Sequence, residues 1–384
     1  MLLCHAVRIL IDYRPALRQR SGVGEYIFRL LQALRQLQLP DDQLAAFSSS
    51  WKDRVDRSVL DGIRVVDARI PARLLTRLWH SREWPPVETL AGAFDVVHSA
   101  GPTLIPTKGA AQLITVHDLD FLAHPERTWA EMRRDYPQLV QQHSLRADHV
   151  VVNSAYTAGE VHQRLGVPLA KITVCRPGAP DWTPRTGPPA DGGYYLFVGT
   201  LEQRKNVGGL LESYKELLER MPDAPRLVLA GNAGPHARPW LEALSRPPLE
   251  GHATHLGYVP DSEREALYKG AAALVLPSFN EGFGLPVLEA MTVGVPVIAS
   301  NRGALPEVLG DAGMLIDPDE ADSLGYGMER IVTDTTTVRQ LIARGLRRTR
   351  LFDWSASARA LRTAYDEAIE AKAARGQREG WEAK

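Results

Sequence analysis

Short apolar runs alternate with amphipathic helical patterns along almost the whole chain. The apolar runs have the length and the Val, Ile and Leu content of buried strands, and several of the segments between them repeat apolar residues with a helical period. Strands that are apolar on both faces belong to parallel sheets covered by helices. The alternation therefore predicts an α/β protein with a parallel sheet in each half of the chain.

The predicted strands form two sets. The first set lies at Val7–Asp12, Leu44–Phe47, Ile63–Val66, Asp95–His98, Gln112–Val116, His149–Asn153 and Ile172–Cys175. The second set lies at Tyr194–Gly199, Arg226–Ala230, Thr254–Gly257, Ala271–Leu276, Val295–Ala299 and Met314–Ile316. Helices are predicted at Gly24–Leu37, Trp129–Leu145, Ala155–Leu165 (with Ser154 as its N-cap), Val207–Glu219, Ser262–Lys269 and Leu285–Val293.

Residues 177–193 separate the two sets of strands. This stretch holds five prolines and four glycines, so it can continue neither a helix nor a central strand. We predict two Rossmann-like, doubly wound domains, over residues 1–180 and 194–355, joined by a linker over 181–193. Ligands of such sheets bind at the carboxyl ends of the strands, and clefts between domains favour them. The site is therefore expected between the two domains.

Composition narrows the class of protein. The 384 residues suit two domains, and 44% apolar with 24% charged residues is typical of globular proteins. A net charge of −1 gives no electrostatic case for a nucleic-acid partner. The two cysteines, Cys4 and Cys175, provide neither a disulfide framework nor a metal-binding spacing. A leader-like segment and a membrane-spanning run are not apparent, so a cytoplasmic location is expected.

The segment PSFNEGFGLPVLEAMTVGVP, residues 277–296, is the most informative part of the sequence. Glu281 falls in a glycine-rich turn after a predicted strand, and Glu289 falls in the helix that follows. The N–H groups at the start of that helix favour an anion or a hydroxyl-rich ligand. The carboxylate of Glu289 suits a pair of neighbouring hydroxyls. Together these features predict a site for a sugar and a nucleotide.

A structural explanation of this segment stands beside the functional one. A strand, a glycine turn and a helix occur in any doubly wound protein, and two glutamates near such a turn could be solvated surface residues. Apolar residues surround Glu289 in the sequence LPVLEAM, however. A carboxylate among apolar neighbours is costly unless something pairs with it, which favours a function.

Two further segments have the chemistry expected for phosphate binding. Arg204 and Lys205 follow the predicted strand YYLFVG, and paired cations there would stabilise a diphosphate leaving group. The alternative is a solvated basic pair in front of a helix. Gly22 and Gly24 open the first predicted helix, where a turn of the type GxG exposes N–H groups to phosphate oxygens. The third glycine of a dinucleotide fingerprint is absent.

His117 and Asp118 follow the predicted strand QLITV, which places both at the carboxyl end of that strand. The histidine could donate to a sugar hydroxyl or to developing charge, and the aspartate could accept from hydroxyls or orient the histidine. A lone histidine is otherwise most often a structural residue. Asp118 and Asp120 form a nominal DxD pair, but the sequence has no convincing metal site, so no metal or other cofactor is expected.

Several segments together resemble the retaining GT-B glycosyltransferases of family 4. They are SGVGEY, VHDL, VVNSAYT, FVGTLEQRKN, NEGFGLPVLEAM and FDWSASARALRTAYDEA, in that order. The resemblance implies a GT-B fold, with two domains that face each other across a cleft. It also implies that the C-terminal residues 356–384, with a helix over Ala356–Ala371, return to the first domain.

The resemblance also implies roles for the candidate residues. Glu281 would hold hydroxyls of the donor sugar, Glu289 would bind the ribose, and His117 would lie close to the donor sugar. Further donor contacts are implied for Asp118, for the loop residues Gly22 and Gly24, and for the backbone N–H groups of Phe283, Gly284 and Leu285. Proton transfer would fall to the leaving phosphate rather than to a protein base.

The implied activity is transfer of a hexose from a nucleotide diphosphate sugar to a hydroxyl of a saccharide or lipid-linked saccharide. The segments are most similar to mannosyl- and rhamnosyl-transferring enzymes of surface-polysaccharide assembly, so GDP-mannose is the first donor expected. Two alternatives stay open. One is a non-catalytic subunit that binds a nucleotide sugar, and the other is an epimerase or phosphorylase on the same fold.

Residues 69–84 (RIPARLLTRLWHSREW) combine an apolar helical stripe with four arginines. A basic amphipathic helix can lie on an anionic membrane, so a weak peripheral membrane contact is one interpretation. Packing of the stripe, which includes Leu74, Leu75, Leu78 and Trp79, on the domain itself is the favoured one.

Overall fold

The computed structural model describes residues 6–17, 20, 22–37, 42–124, 136–189 and 191–382. Cys4, Ser21 and residues 129–135 of one predicted helix lie outside these ranges. The chain divides into two compact units. The first unit combines Met1–Gly178 with Asp353–Lys384, and the second is Ala179–Phe352. Each unit is built around its own parallel sheet.

The first unit contains a sheet of seven parallel strands in the order β3-β2-β1-β4-β5-β6-β7. The strands are β1 Arg8–Asp12, β2 Gln43–Ser48, β3 Arg64–Asp67, β4 Val96–Ser99, β5 Ala111–Val116, β6 His149–Val152 and β7 Ile172–Val174. Each of the first seven predicted strands is present, with ends that shift by at most one residue. The predicted parallel α/β sheet is confirmed.

Helices cover both faces of this sheet. They are α1 Val23–Gln36, α2 Ala72–Arg82, α3 Glu88–Ala91, α4 Asp120–Ala123, α5 Tyr136–Arg146, α6 Ala155–Leu165 and, after the second unit, α14 Trp354–Glu382. Ser154 caps α6 as predicted, since its hydroxyl accepts from the N–H of Thr157 at 3.0 Å.

Successive residues of β1 show how the two faces are filled. Ile9 and Ile11 belong to a core with α1 and α14, while Leu10 belongs to a core with α2. Alternate side chains of a strand point to opposite faces, so an apolar run without polar gaps serves two helix layers. Tyr365 of α14 is fully buried in the first of these cores.

The second unit contains six parallel strands in the order β10-β9-β8-β11-β12-β13. The strands are β8 Tyr194–Val198, β9 Arg226–Ala230, β10 Ala253–Gly257, β11 Ala271–Leu276, β12 Val297–Ser300 and β13 Met314–Ile316. The helices are α7 Val207–Arg220, α8 Arg238–Ala243, α9 Asp261–Lys269, α10 Leu285–Thr292, α11 Leu305–Leu309, α12 Ala321–Thr333 and α13 Thr335–Arg348. All six predicted strands are present, whereas α8, α11, α12 and α13 were not predicted.

Both sheets reverse their strand order at one point. The reversal lies between β1 and β4 in the first unit and between β8 and β11 in the second. In doubly wound sheets the loops that leave these two strands diverge and leave a crevice at their carboxyl ends. The segments that follow β8 and β11 contain Lys205 and Glu281, and the segment that follows β1 leads to Gly22 and Gly24. The fold therefore brings candidate residues to the crevice of each sheet.

Candidate functional site

Glu281 lies at the centre of a buried charged cluster in the second unit. The Nζ of Lys205 donates to Oε1 of Glu281 at 2.5 Å, and the hydroxyl of Ser278 donates to the same oxygen at 2.7 Å. Nη1 of Arg204 lies 3.3 Å from the other carboxylate oxygen. Glu281 is 6% exposed and Lys205 is 9% exposed. The predicted catalytic residues Arg204, Lys205 and Glu281 are thus in direct contact.

The charge state of Glu281 follows from this arrangement. Burial on its own raises the pKa of a carboxyl group, because it penalises the charged form. The charges of Lys205 and Arg204, with the hydrogen bonds from Lys205 and Ser278, outweigh burial and lower the pKa of Glu281 to about 2. Glu281 is therefore an ionised acceptor at neutral pH and is unsuited to act as an acid.

Close backbone approaches build this cluster. Gly199 follows β8 with φ +153°, and a Cβ placed there would lie 3.3 Å from Cε of Lys205. A Cβ on Gly303 would lie 2.6 Å from the carbonyl oxygen of Glu281. The N–H of Phe279 donates to the carbonyl of Arg204 at 2.8 Å, which joins the two crevice loops. Glycine at these positions lets the loops pack against each other.

Glu289 lies in the fifth position of α10 and is 6% exposed. Its Oε1 accepts from Nη2 of Arg264 at 2.6 Å, and its Oε2 accepts from the hydroxyl of Tyr268 at 2.6 Å. The sequence showed that a carboxylate at this place needs a partner but did not identify one. Asp261, Arg264 and Tyr268 lie three and then four residues apart in α9, and this spacing places them on one face of a helix. This spacing is the feature of the sequence that indicates a common face of α9 as the partner of Glu289.

The turn before α10 contains the remaining candidates of the second unit. Gly284 is the N-cap of α10 with φ +104°, where a Cβ would lie 2.6 Å from a methyl group of Leu305. Phe283 is buried and packs edge-on against Phe352 with ring centroids 5.8 Å apart. Leu285 begins the helix, so the N–H groups of residues 283–285 lie at its positive end.

Gly22 and Gly24 have different structural roles in the first unit. Gly22 is the N-cap of α1 with φ +50°, a conformation that favours glycine. A Cβ on Gly24 would lie 2.5 Å from the carbonyl oxygen of Pro15, so glycine there lets α1 approach the turn Arg14–Ala16. Both positions therefore have a packing explanation, and their predicted phosphate contact stays a prediction.

His117 donates rather than accepts at Nε2, which lies 2.9 Å from the carbonyl oxygen of Ala100. A carbonyl can only accept, so the neutral ring carries its proton on Nε2 and presents Nδ1 as an acceptor. Burial lowers the pKa of His117, although the Ala100 hydrogen bond and the charge of Asp118 oppose the shift. The sequence analysis considered His117 as a donor to a sugar hydroxyl. In this tautomer Nδ1 carries no proton, so that nitrogen can accept a hydrogen bond from a hydroxyl.

A cavity of about 450 Å³ lies at the carboxyl edge of the first sheet. Its lining includes His117, Asp118, Arg14, Phe121 and Tyr136. Arg14 and Asp12, which also line it, form a two-pronged ion pair with both N–O distances at 2.8 Å. The charges of this ion pair are balanced inside the cavity wall. The sequence did not identify this cavity, because its walls come from segments distant along the chain.

Two family models match consecutive parts of the chain. The model described as Glycosyltransferase Family 4 matches residues 20–181, and the model described as Glycosyl transferases group 1 matches residues 179–348. The chain belongs to the group 1, family 4 glycosyltransferases. This is a family of retaining hexosyltransferases that take the sugar from a nucleotide sugar, typically to a saccharide acceptor.

Relatives agree with this membership, and solved structures agree with the fold. The glycosyltransferase is 28% identical to O-antigen chain mannosyltransferase B of Escherichia coli over 91% of this chain and 96% of that one. It is 26% identical to D-inositol 3-phosphate glycosyltransferase of Corynebacterium diphtheriae over 72% and 71%. Sucrose-phosphate synthase from Thermosynechococcus elongatus has a similar fold, with a TM-score of 0.77, 20% identity and coverage of 95% and 100%. The GT-B fold class is therefore established.

The amphipathic segment of this glycosyltransferase packs mainly inward. Leu75 and Trp79 of α2 are buried in the core of the first unit, which agrees with the favoured interpretation of the stripe. Leu74 and Trp84 are 50% and 60% exposed. Within the described ranges, no helix has both the length and the apolar character needed to span a membrane. The same residues contain no group of three or more His, Cys, Asp or Glu side chains suited to a metal ion.

Proposed function

We propose that this glycosyltransferase moves mannose from GDP-mannose to a hydroxyl of a saccharide or lipid-linked saccharide, with retention of configuration. The buried contact between Lys205 and Glu281 supports the site, since it fixes an ammonium group beside an ionised carboxylate at the crevice of the second sheet. The choice of mannose rests on the similarity to an O-antigen chain mannosyltransferase that covers 91% of the chain.

In this proposal the second unit binds the donor. Arg204 and Lys205 stabilise the diphosphate as the bond between C1 and oxygen breaks, and the leaving phosphate accepts the proton of the acceptor. An ammonium group has three N–H donors and a guanidinium has five, so each can contact Glu281 and a phosphate together. Glu281 then accepts from hydroxyls of the donor sugar and keeps both cations in place.

The nucleoside contacts come from the next helix. Glu289 accepts from the two ribose hydroxyls, which are a matched pair of donors for a carboxylate. The N–H groups of Phe283, Gly284 and Leu285 bind donor oxygens at the positive end of α10. Gly22 and Gly24 are proposed as further contacts of the donor phosphate, and no metal ion takes part.

The first unit binds the acceptor in its 450 Å³ cavity. Asp12 and Arg14 balance each other, so the cavity suits an uncharged saccharide better than an anion. Nδ1 of His117 and the carboxylate of Asp118 accept from hydroxyls of the donor sugar where it meets the acceptor, and the rings of Phe121 and Tyr136 offer apolar faces to the acceptor ring.

A binding experiment tests the donor assignment. The wild-type protein is titrated calorimetrically with GDP, UDP, ADP and dTDP in metal-free buffer, and GDP is expected to bind most tightly. Turnover of GDP-mannose with an oligosaccharide acceptor should then give an α-linked product by NMR. Tighter binding of another diphosphate would overturn the choice of GDP-mannose. Binding of none of them would overturn the assignment of the site.

A peripheral membrane contact is a second, smaller proposal, with the enzyme in the cytoplasm. Leu74 and Trp84 stay exposed at the two ends of α2, and Arg73, Arg77 and Arg82 lie exposed beside them. Exposed apolar side chains with cations suit an anionic lipid surface. Sedimentation with anionic vesicles at low salt should carry the wild type more than a Trp84→Ser variant, and no sedimentation of the wild type would reject the contact.

A further inference from the structure

One face of α9 is directed at Glu289 of α10. Arg264 and Tyr268, one turn apart, each reach one oxygen of the Glu289 carboxylate, and both distances are 2.6 Å. Asp261, one turn earlier, accepts from Nη1 of Arg264 at 3.1 Å. Arg264 is therefore held by a carboxylate of its own helix and by Glu289. The contacts leave the Glu289 carboxylate little rotational freedom.

The surroundings of this contact are closed. The Arg264 side chain is 12% exposed, the Glu289 side chain is 8% exposed, and Tyr268 is fully buried. The ring of Trp182 lies 5.6 Å from the ring of Tyr268 and 5.8 Å from the guanidinium carbon of Arg264. A buried arginine between two carboxylates and an aromatic ring has a fixed orientation. Such a residue can orient a neighbour without touching the ligand.

The chemistry of a carboxylate allows two sets of donors at once. An ionised carboxylate only accepts, through two oxygens with about four lone-pair directions. The tyrosine hydroxyl must therefore donate to Glu289, and burial together with the charge of Glu289 raises the pKa of Tyr268 well above its usual value. Tyr268 thus stays a donor at working pH. Donors that approach from α9 and hydroxyls of a ligand can share the same two oxygens.

We infer that Arg264 and Tyr268 are positioning residues, which hold the Glu289 carboxylate in the orientation that recognises the vicinal hydroxyls of the donor ribose. The inference rests on the proposed role of Glu289. Neither α9 residue touches the nucleotide in this arrangement. Their effect on binding should therefore depend on whether the nucleotide has both hydroxyl groups.

Deoxynucleotides test this inference. If Arg264 and Tyr268 only stabilised the fold, their replacement would not change the preference for GDP over its deoxy forms. Calorimetric Kd values are measured for GDP, 2′-deoxy-GDP and 3′-deoxy-GDP with the wild type, Arg264→Met, Arg264→Lys and Tyr268→Phe. The wild type should bind GDP roughly 10- to 100-fold more tightly than either deoxy form, the range expected for a hydrogen bond to a charged group.

In Arg264→Met this preference should fall to within about threefold, because GDP binding weakens while deoxy-GDP binding changes little. Tyr268→Phe should reduce the preference less than Arg264→Met does. Arg264→Lys should keep part of the preference, because lysine supplies the positive charge but not the two-pronged geometry of the guanidinium. With GDP-mannose as donor, KM should rise in Arg264→Met while kcat at saturation stays within about threefold.

The first unit offers a matched control. Arg362 and Asp42 form an ion pair with the same N–O distance of 2.6 Å and the same side-chain exposures of 12% and 8%. An Arg362→Met variant loses an equally buried pair far from Glu289 in the sequence. It should lose thermal stability and keep the preference of the wild type for GDP over its deoxy forms.

Each outcome decides between the inference and the function on which it rests. A preference that survives in Arg264→Met and in Tyr268→Phe overturns the inference and leaves Glu289 as the ribose ligand. A wild type that binds GDP and both deoxy forms equally overturns the ribose role of Glu289, and the inference fails with it. If Arg264→Met does not fold, the Kd values of Arg264→Lys and Tyr268→Phe decide the question in its place.

Discussion

The two sheets share a strand order, yet the crevices at their carboxyl edges differ in chemistry. In the second unit, cations contact a buried carboxylate, since the buried Lys205 and the partly buried Arg204 both contact Glu281. In the first unit, the cavity is lined by an internally balanced ion pair between Asp12 and Arg14, by Asp118, and by His117, whose pKa is lowered by burial. One fold therefore supports a cation-rich site and one in which the arginine is already paired with an aspartate.

This difference agrees with the two kinds of substrate in the proposed reaction. A nucleotide diphosphate sugar is strongly anionic, so the unit that binds it needs cations held in place before the ligand arrives. A saccharide hydroxyl is uncharged, so neutral acceptors and apolar ring faces are sufficient. The loops after the strands, rather than the sheets, determine this division.

The largest predicted effect is on the charged side of the comparison. Lys205→Met should lower kcat by about 10²–10³, because one preorganised electrostatic donor to the leaving diphosphate is lost. The KM for the donor should change less than kcat. Initial rates at saturating GDP-mannose measure the effect. Lys215→Met, at a lysine paired with Glu212 on the surface of α7, is the control and should keep wild-type rates. An unchanged kcat in Lys205→Met would remove the leaving-group role.

The next prediction concerns the stability of the two units at low pH. The pKa of Glu281 is lowered to about 2, so its contribution to stability is present above its usual value of 4.5 and is lost as the pH falls towards 2. Burial lowers the pKa of His98 to about 3 and of His143 and His149 to about 4, so their contribution is present above 6.5 and is lost below it. The Glu281 step is worth about 3 kcal/mol, or roughly a hundredfold in the unfolding equilibrium.

Hydrogen exchange measured peptide by peptide separates the two units in this experiment. Between pH 6.5 and pH 5, protection should fall in the first unit while the second stays protected. In a Glu281→Gln variant, the loss of protection of the second unit below pH 4.5 should disappear, and the loss of protection of the first unit should remain. Simultaneous loss of protection in both units near pH 4 would contradict the comparison.

A smaller effect is expected at the ribose position. Glu289→Gln should raise the Kd for GDP about 10- to 100-fold, because a charged acceptor for two hydroxyls becomes a neutral one. Calorimetry gives the Kd, and steady-state rates should show a kcat within about threefold of wild type. The Arg362→Met variant again controls for loss of a buried ion pair. A fall in kcat without a change in Kd would assign Glu289 to the chemical step instead.

The smallest predicted effect is on the neutral side. His117→Asn should lower kcat/KM only about threefold to tenfold at pH 8, since one hydrogen bond between neutral groups is lost. Rates at low acceptor concentration measure it, and the exposed His236→Asn is a suitable control. A loss of a hundredfold or more would mean that His117 acts as a charged group and would break the contrast between the two units.

Sequence reasoning worked well where local pattern determines structure. The strands were predictable because their apolar runs are short and bounded, and Ser154 was recognisable as a cap by its side-chain chemistry. The sequence predicts Glu281 and Lys205 as site residues from their charge and their position after a strand. It does not predict their contact, because 76 positions separate them.

Other features needed the three-dimensional structure. Arg264 resembles any surface arginine in the sequence, and only the packing of α9 on α10 shows that it contacts Glu289. The proton position on His117 depends on the carbonyl of Ala100, which lies on a different strand connection. Helices α12 and α13 follow each other after a single residue, so the strand–helix alternation on which the prediction relied does not reveal them.

The division of the first unit into two chain segments has a consequence for synthesis on the ribosome. Tyr365 of α14 is fully buried in the same core as Ile9 and Leu31, yet more than 300 residues separate it from them. The second unit can complete its own core as soon as Phe352 has emerged, whereas the first unit, although synthesised earlier, must wait for α14. The nascent first unit thus exposes an apolar face for most of the translation time, and chaperones can bind that face.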